Sequence, residues 1–427
     1  MRLRDWDRNL KIRLAGEALV NISFWMFFPF LAIYFTESFG KTAAGLLLIF
    51  SQVFSVAANL MGGYCADRYG RKRMMVLSAI GQGLAFFLFA YASSPWLDSP
   101  VLGFISFTAV SIFGSFYWPA SQAMVADVVP EKDRNNVFAI FYTSINIAVV
   151  IGPIIGGIFY AEHRFELLLA AAILNTLLGL ILLKLLGETA PPFVHNPENE
   201  STKNWTRFFK DQLKDYRVIV KDKTFLLFII AGVLAGQTFM QLDLLIPVYT
   251  KDVIIDSQVL LSLGDRSFMI AGEQAFGVLI SENGFLVALF TIAVTKWMTM
   301  YKEKNVFILS SAVYALSIMM FSQTNWIWGM ILAMAVFTFA ELMGVGIQQG
   351  FISKLAPDNM RGQYFAAGSL RFTIARMIAP LSIPLSAWFG YFNTFLLLAL
   401  LALLSSLIYH LMFRMFEKQN LGANQGA

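Results

Sequence analysis

The sequence predicts an all-α membrane protein in which twelve transmembrane helices form two pseudo-symmetric six-helix bundles. Three observations lead to this fold class. The chain of 427 residues is 57% hydrophobic and only 14% charged, whereas soluble domains are about 25% charged. Its apolar runs are each long enough for a crossing of about 20 residues. A short sequence motif also recurs in the two halves of the chain.

The motif is a charged loop followed by Phe-Ala. Segment 130–139 begins Pro-Glu-Lys-Asp-Arg and ends Phe-Ala, and segment 357–366 begins Pro-Asp-Asn-Met-Arg and ends in the same Phe-Ala, 227 residues later. Transporters built from parallel six-helix repeats show this kind of internal similarity, with the substrate site at mid-depth between the repeats.

Charged residues, Gly and Pro separate the apolar runs. Predicted spans lie near 11–36, 42–66, 74–93, 100–126, 136–160, 165–186, 224–250, 275–298, 305–322, 325–352, 363–388 and 391–413. The domain prediction is therefore an N-terminal bundle over 1–186, a cytoplasmic linker over 187–223 and a C-terminal bundle over 224–427. Aromatic residues recur at helical spacing in the linker, which predicts an amphipathic helix on the membrane surface.

Positive charge is distributed unevenly across the predicted membrane. Of the 32 Lys and Arg residues, 26 fall in loops or at span ends on the side of the first residue, four on the other side and two, Arg371 and Arg376, deep within a span. The positive-inside rule then places both termini in the cytoplasm, and the basic charge needs no nucleic acid to explain it. With one cysteine and no metal-ligand or nucleophile cluster in the sequence, we expect neither a metal site nor an enzyme.

The loop between the second and third spans reads Gly-Tyr-Cys-Ala-Asp-Arg-Tyr-Gly-Arg-Lys-Arg. Gly63 is expected to let a neighbouring helix approach its backbone, and Gly70 to take the positive φ of a tight turn. At this depth Asp67 needs a cationic partner or a helix N-terminus, while Arg68 and Arg71 hold the loop in the cytoplasm. A plain basic turn is the simpler interpretation, but it requires neither Gly63 nor Asp67.

The fifth span carries a second motif, Gly152-Pro153-Ile-Ile-Gly156-Gly157. Proline is expected to kink the helix and the glycines to allow close helix packing. The motif resembles the Gly-Pro-x-x-Gly-Gly element that exporters of the major facilitator superfamily, rather than importers, carry on the fifth helix. A purely structural kink would give the same pattern.

Four acidic residues lie within spans, where ionisable groups are costly and are functional candidates by default. Asp243 and Glu341 are predicted to exchange protons, because apolar surroundings disfavour the charged carboxylate. A neutral carboxyl hydrogen-bonded between helices is the alternative. Glu17 lies four residues from Arg13 and favours a structural pair. For Glu282 a proton or substrate role and a structural role are weighed equally.

Two arginines lie in the eleventh span. Arg371 and Arg376 are five residues apart, so they point about 140° away from each other and cannot line one face. We expect Arg371 to pair structurally, either by neutralising an acid such as Glu341 or by contacting Asp67 as part of the cytoplasmic latch. Arg376 lies deeper, has no partner that the sequence identifies, and is a candidate for meeting an anionic ligand group.

The charged loop, the repeat and the Gly-Pro motif together resemble the twelve-helix drug:proton antiporters of the major facilitator superfamily, most closely the lactococcal multidrug antiporter group. The acidic positions of that group coincide with Asp67, Asp127, Asp243 and Glu341. Arg371 stands where the group has a lysine. One departure is Phe141, which replaces the group's acid in the fifth span.

The resemblance implies proton-coupled export of lipophilic or amphiphilic small molecules by alternating access, in a monomer of the bacterial cell membrane. The proton gradient would supply the energy with no cofactor, and the partners would be substrate, protons and the lipid bilayer. Asp67 would latch the cytoplasmic side together with Arg134. A porter of a lipid, sugar or anionic metabolite is the alternative, and Arg376 favours it.

Overall fold

A computed structural model describes residues 6–190, 222–263, 266–355 and 361–425. The predicted amphipathic helix of the linker lies outside these residues. So does the side chain of Arg134, the expected partner of Asp67. Elsewhere the chain is almost entirely helical.

Helices account for nearly all of the secondary structure. In chain order they are α1 (Arg8–Trp25), α2 (Leu31–Tyr69), α3 (Arg71–Ala92), α4 (Pro100–Val128), α5 (Glu131–Leu185), α6 (Lys223–Phe239), α7 (Leu245–Val253), α8 (Gly272–Met298), α9 (Glu303–Ser322), α10 (Ile327–Leu355), α11 (Arg361–Ile378) and α12 (Ser382–Gln425).

Among the described residues, nine helical segments are long and apolar enough to cross a membrane. Three of them, of 62, 43 and 52 residues, exceed the roughly 20 residues of one crossing. Each of the three contains a backbone break with non-helical φ and ψ, at Gly40, His163 and Gly390 respectively. Each therefore provides two crossings, and the predicted twelve-helix membrane fold is confirmed.

Short irregular segments interrupt or join the spans. One-turn 3₁₀ helices lie at Phe28–Phe30, Met240–Asp243 and Ala379–Leu381, where the regular hydrogen-bond ladder changes register. Two antiparallel hairpins, β1–β2 (Ser93–Ser94 and Leu97–Asp98) and β3–β4 (Gln258–Leu263 and Arg266–Ile270), were not predicted. The second hairpin is anchored by Gln258, whose amide nitrogen donates to the Asn325 carbonyl at 2.7 Å.

The chain forms two compact units. The first comprises 1–194 together with 250–257 and 269–284, so it includes the start of α8. Its core contains small and sulfur-containing side chains such as Ala79 and Met124. The second comprises the remaining residues, and one of its core clusters contains aromatic side chains such as Phe228 and Phe307.

The Gly-Pro motif of α5 packs this helix closely within the first unit. A Cβ atom at Gly152 would lie 2.8 Å from the carbonyl carbon of Trp25, and one at Gly156 would lie 2.9 Å from that of Met26. On another side of α5, a Cβ at Gly157 would lie 3.4 Å from Gly277 Cα. The glycines thus let α1 and α8 approach α5, as the motif predicted.

The expected close approach at Gly63 is wrong. A Cβ at Gly63 would meet no atom within 4 Å, whereas one at Gly62 would lie 3.1 Å from Pro119 Cγ and 3.3 Å from the Ser115 carbonyl oxygen. One residue along a helix rotates the side-chain direction by about 100°. Gly62, rather than Gly63, therefore faces α4.

Candidate functional site

The second unit contains a small cavity of about 100 Å³ that includes both Glu341 and Arg371. We call it the Glu341 cavity. Five helices, α6, α9, α10, α11 and α12, contribute to its wall. Tyr314 and Tyr409, two residues that sequence reasoning did not select, also line it. Tyrosines within apolar spans carry no sequence signal that separates cavity residues from packing residues.

Arg371 is buried, with only 2% of its surface exposed. Its guanidinium carbon lies 4.9 Å from the ring centre of Phe228 and 4.8 Å from that of Phe372. Its stem fits because Gly232 has no side chain: a Cβ there would lie 2.7 Å from Arg371 Cδ. The Nε and Nη1 atoms are buried and have no hydrogen-bond partner among the described residues.

Glu341 is half-buried on α10 and faces the same cavity. Its charge acts on Tyr314 of α9. The preceding residue, Ala340, accepts a hydrogen bond of 2.8 Å from the Ser310 hydroxyl, which ties α9 to α10 at this level. The Ser310–Ala340 hydrogen bond therefore fixes α10, which carries Glu341, against α9.

Asp243 ends the 3₁₀ turn after α6 and does not line the Glu341 cavity. Its Oδ1 atom is buried with no hydrogen-bond partner among the described residues. Arg376, for which the sequence offered no partner, is the cation that acts on Asp243. Sequence reasoning missed this pair because it joins two spans more than 130 residues apart.

Glutamine side chains fix the backbone around Asp243. The Ser382 hydroxyl donates to the Gln241 side-chain oxygen at 2.6 Å, and the Gln241 amide donates to the Gln237 carbonyl at 2.7 Å. Gln237 in turn donates to the Ala375 carbonyl at 3.2 Å. The turn that carries Asp243 is thus held against α11 and the start of α12.

The first unit contains a larger cavity, of about 260 Å³, beside Arg13 and Glu17. The Arg13 Nε atom donates to the Glu17 carboxylate at 2.9 Å, and its other nitrogens donate to the carbonyl and the hydroxyl of Ser121. Tyr117 donates to the same carboxylate at 2.7 Å. This buried network satisfies the charge of Arg13.

Phe141 also lines the cavity in the first unit. The Arg13 guanidinium carbon lies 4.9 Å from the centre of its ring. The resemblance would place an acid at this position. The chain instead has the Phe141 ring, which lies against Arg13, and Glu17 already neutralises that arginine.

Glu282 lies in the third turn of α8, in the part of that helix that belongs to the first unit. It lines neither of the two cavities. Its Oε2 atom is buried and has no hydrogen-bond partner among the described residues. Among those residues no cation acts on it either.

The charged loop between α2 and α3 is centred on Arg71. Its guanidinium contacts Asp67 at 2.9 Å and Asp127 at 3.1 Å. Asp67, whose side chain is 71% exposed, thus has Arg71 as its described ionic partner. Gly70 has φ of 99°, which confirms the predicted turn. Arg68 donates to the Tyr64 hydroxyl at 2.8 Å.

Glu188, which the sequence did not single out, caps α3 from the start of the linker. Its carboxylate accepts hydrogen bonds from the backbone nitrogens of Arg71, Lys72, Thr189 and Ala190 at 2.9–3.3 Å. Partial burial opposes its ionisation, but these backbone N–H groups outweigh it and lower the pKa of Glu188. The carboxylate also occupies the space where a Cβ at residue 70 would lie.

A second ionic cluster lies within the first unit. Lys251 contacts Glu37 at 2.5 Å and also pairs with Glu273, and Lys41 contacts Asp252 at 2.7 Å. Burial alone would lower the pKa of Lys251, but the two glutamates raise it. These pairs tie the start of α8 and the end of α7 to α2.

Comparisons with known proteins agree with this architecture. The family model described as Major Facilitator Superfamily matches residues 14–380. A "Na(+), Li(+), K(+)/H(+) antiporter" of Planococcus maritimus is 57% identical over 420 residues, covering 98% of this chain and 99% of that protein. "Multidrug resistance protein MdtG" of Serratia proteamaculans is 30% identical over 200 residues, covering 44% of this chain and 47% of that protein.

Among solved structures, a POT family transporter in complex with 5-aminolevulinic acid is similar in fold. Its TM-score is 0.77 at 19% sequence identity, with 95% of this chain and 96% of that chain covered. At this identity the likeness concerns the fold alone.

Proposed function

This chain belongs to the Major Facilitator Superfamily, and we propose that, as a transporter of that family, it exchanges alkali cations for protons. The observation that carries the proposal is the antiporter of Planococcus maritimus, which is 57% identical over almost the full length of both proteins. The sequence alone had pointed to multidrug export. The relatives that support drug export are more distant and cover about half of the chain.

The size of the Glu341 cavity supports an ion rather than a drug. Its volume is about 100 Å³, whereas pockets for drug-sized ligands are about 300–1,000 Å³. Carboxylate oxygens are also the natural ligands of hard cations. The Glu341 cavity therefore argues against a drug-sized substrate, and the carboxylates of the spans are the candidate ligands for an alkali cation.

The four span carboxyls differ in their cationic neighbours. Glu17 is bonded to an arginine, Asp243 lies within the field of one, and Glu341 shares its cavity with one. A fixed arginine competes with any alkali ion, because two unit charges 4 Å apart interact by about 4 kcal/mol at an effective dielectric constant of about 20. Glu282 has no such competitor among the described residues.

We therefore assign alkali-cation binding to Glu282 and proton exchange to Asp243 and Glu341. A neighbouring guanidinium stabilises the carboxylate that remains when a proton leaves. Release of two protons for each monovalent cation would move one net charge across the membrane. The membrane potential would then contribute to transport.

The test uses the purified full-length protein in proteoliposomes with an imposed pH gradient and an enclosed pH-sensitive dye. Adding Na⁺, Li⁺ or K⁺ should collapse the gradient, and choline at equal concentration should not. The variant Glu282→Gln should lose this response. If none of the three cations collapses the gradient in a preparation that is folded and oriented, cation exchange is wrong.

Drug export is the second candidate, and the first-unit cavity favours it. That cavity has about 260 Å³ and an aromatic wall that includes Trp118, Phe138 and Phe141. Loading the same proteoliposomes with a lipophilic cationic dye distinguishes the two candidates. Proton-driven movement of the dye, without any response to alkali cations, would favour drug export.

A further inference from the structure

Arg371 presents a charge that its described surroundings do not neutralise. Two of its nitrogen atoms, Nε and Nη1, are buried without hydrogen-bond partners among the described residues, and the side chain lines the Glu341 cavity. A buried guanidinium without a counter-charge is strongly unfavourable. The cavity must therefore supply negative charge to Arg371 in at least part of the transport cycle.

The wall of the cavity supplies further hydrogen-bond donors. Tyr314, Tyr409 and Gln348, whose side chains carry hydrogen-bond donors, line it together with Arg371. Tyr409 lies close enough to interact with the guanidinium. Donors converging on a small space with one fixed positive charge suit an anion.

The volume limits the size of that anion. The cavity of about 100 Å³ exceeds the roughly 30 Å³ that one water molecule takes in the liquid. A chloride ion with some water, or a short carboxylate such as acetate, fits the space. Gluconate, a sugar acid with seven oxygen atoms and six carbons, is much bulkier than chloride or acetate and serves as the reference anion.

Glu341 makes anion binding depend on protons. The charged or titratable side chains that line the cavity are Tyr314 from α9, Glu341 from α10, Arg371 from α11 and Tyr409 from α12, and α6 contributes none. Tyrosines stay neutral near neutral pH because their usual pKa is about 10. Among the described lining residues, Glu341 is therefore the carboxylic acid whose protonation changes the charge of the cavity.

We propose that the Glu341 cavity is a proton-linked binding site for a small monovalent anion, either chloride or a short carboxylate. When Glu341 is ionised, its carboxylate neutralises Arg371 and excludes the anion. When Glu341 holds a proton, the anion takes over as the counter-charge of Arg371. Protonation of Glu341 and binding of the anion are therefore linked at this site, and the net charge of the cavity stays the same in its two bound states.

The experiment measures thermal unfolding of the purified full-length protein in detergent, at fixed sodium concentration and ionic strength. Sodium chloride, bromide and acetate are each compared with sodium gluconate at pH 5.5 and pH 8. A ligand that binds only the folded state raises the melting temperature in proportion to its occupancy. We expect a rise at pH 5.5 with one or more of the small anions, and none at pH 8.

Comparing the anions identifies the ligand class. A rise with chloride and bromide alone assigns the site to halides, and a rise with acetate alone assigns it to short carboxylates. An equal response to gluconate would overturn the proposal. So would a rise of the same size at both pH values in the wild-type protein.

Three variants localise the effect. Arg371→Gln should lose the anion-dependent rise, and Arg371→Lys, which keeps the charge, serves if the first variant does not fold. Glu341→Gln should show the rise at both pH values, because its side chain remains neutral. Arg376→Gln, the same substitution on the same helix but outside the cavity, should keep the wild-type pattern. An unchanged anion effect in Arg371→Gln would contradict the proposal.

This readout is independent of transport, because sodium is held constant throughout. A protein that exchanges cations but shows no anion effect would contradict this inference alone. A protein that shows the anion effect but no cation exchange would contradict the proposed function alone.

Discussion

Two buried arginines, one in each compact unit, are treated differently by their surroundings. Arg13 is 2% exposed and bonded to Glu17 and to two oxygen atoms of Ser121. Arg371 is equally buried, but two of its nitrogens have no hydrogen-bond partner among the described residues. The same residue type thus forms a closed network in one unit and an open cationic site in the other.

The comparison shows that burial alone does not identify a functional charge. The network around Arg13 lies beside the larger cavity, yet its charges are satisfied and suit a brace between α1 and α4. The smaller cavity contains the charge that still needs a partner. The missing hydrogen-bond partners of Arg371, rather than the volume of either cavity, therefore mark the second unit as the candidate binding site.

The largest expected effect is on stability. Arg13→Gln leaves the Glu17 carboxylate buried without its cationic partner, and breaking a buried ion pair in this way costs about 3–5 kcal/mol. We expect poor yield and a strongly lowered melting temperature. Arg371→Gln, measured in gluconate at pH 5.5, should cost much less, because it removes a buried charge that has no carboxylate partner and two unbonded nitrogens among the described residues. A larger loss for Arg371→Gln would contradict the contrast between the two arginines.

The second expected effect is the response of the cation gradient to the membrane potential. With two proton-exchanging carboxyls, each cycle moves one net charge, and a potential of 100 mV contributes about 2.3 kcal/mol per charge. The cation gradient at steady state should then change by about fortyfold when that potential is imposed, since about 1.4 kcal/mol corresponds to tenfold. Proteoliposomes in which a gradient of the permeant anion thiocyanate sets the potential provide the measurement, with sodium as the transported ion, because potassium is itself a proposed substrate.

Asp243→Asn should remove this response to the potential while leaving exchange of one proton for one cation. A conservative change in the first-unit brace, Glu17→Asp, serves as the control. It should lower the amount of folded protein without abolishing the response. A full response to the potential in Asp243→Asn would exclude Asp243 from proton coupling.

A matched pair of glycine variants tests packing of the first unit. Gly62→Ala should lower stability by about 1 kcal/mol, because its new Cβ would lie 3.1 Å from Pro119 Cγ. Gly63→Ala should be neutral or slightly stabilising, since no atom lies within 4 Å and alanine favours a helix over glycine by about 1 kcal/mol. Thermal unfolding of the two variants gives the comparison. A reversed order would place Gly63, not Gly62, at the helix contact.

The smallest expected effect concerns Glu188. Its pKa is lowered by backbone N–H groups, so its stabilising effect is present above the unfolded-state pKa and is lost as the pH falls through the folded-state pKa. Glu188→Gln should cost less than about 1 kcal/mol at neutral pH, as for a helix cap. The melting temperatures of variant and wild type should converge as the pH is lowered below about 4. A constant difference over that range would argue against ionic capping.

Much of this architecture follows from sequence patterns. The apolar runs predicted the spans, and the charged loop predicted the turn at Gly70. Spacing of four residues predicted the contact between Arg13 and Glu17, because such residues share a helix face. These features depend on local geometry, which a single sequence contains.

Contacts between distant spans could not be predicted in the same way. Helical periodicity gives the direction of a side chain relative to its own helix, but not the neighbour that it meets. The interaction of Arg376 with Asp243 and the choice of Gly62 over Gly63 both depend on that neighbour. The tyrosines of the Glu341 cavity were missed for the same reason.

Proton release on cation binding is the most direct test of cation exchange at Glu282. Purified full-length protein in weakly buffered detergent solution is mixed with sodium, lithium or potassium chloride, and the pH change is recorded against choline chloride. We expect each alkali cation to release protons from the wild-type protein and Glu282→Gln to abolish the release. No release from the wild type, or the same release from Glu282→Gln, would contradict cation exchange at this carboxyl.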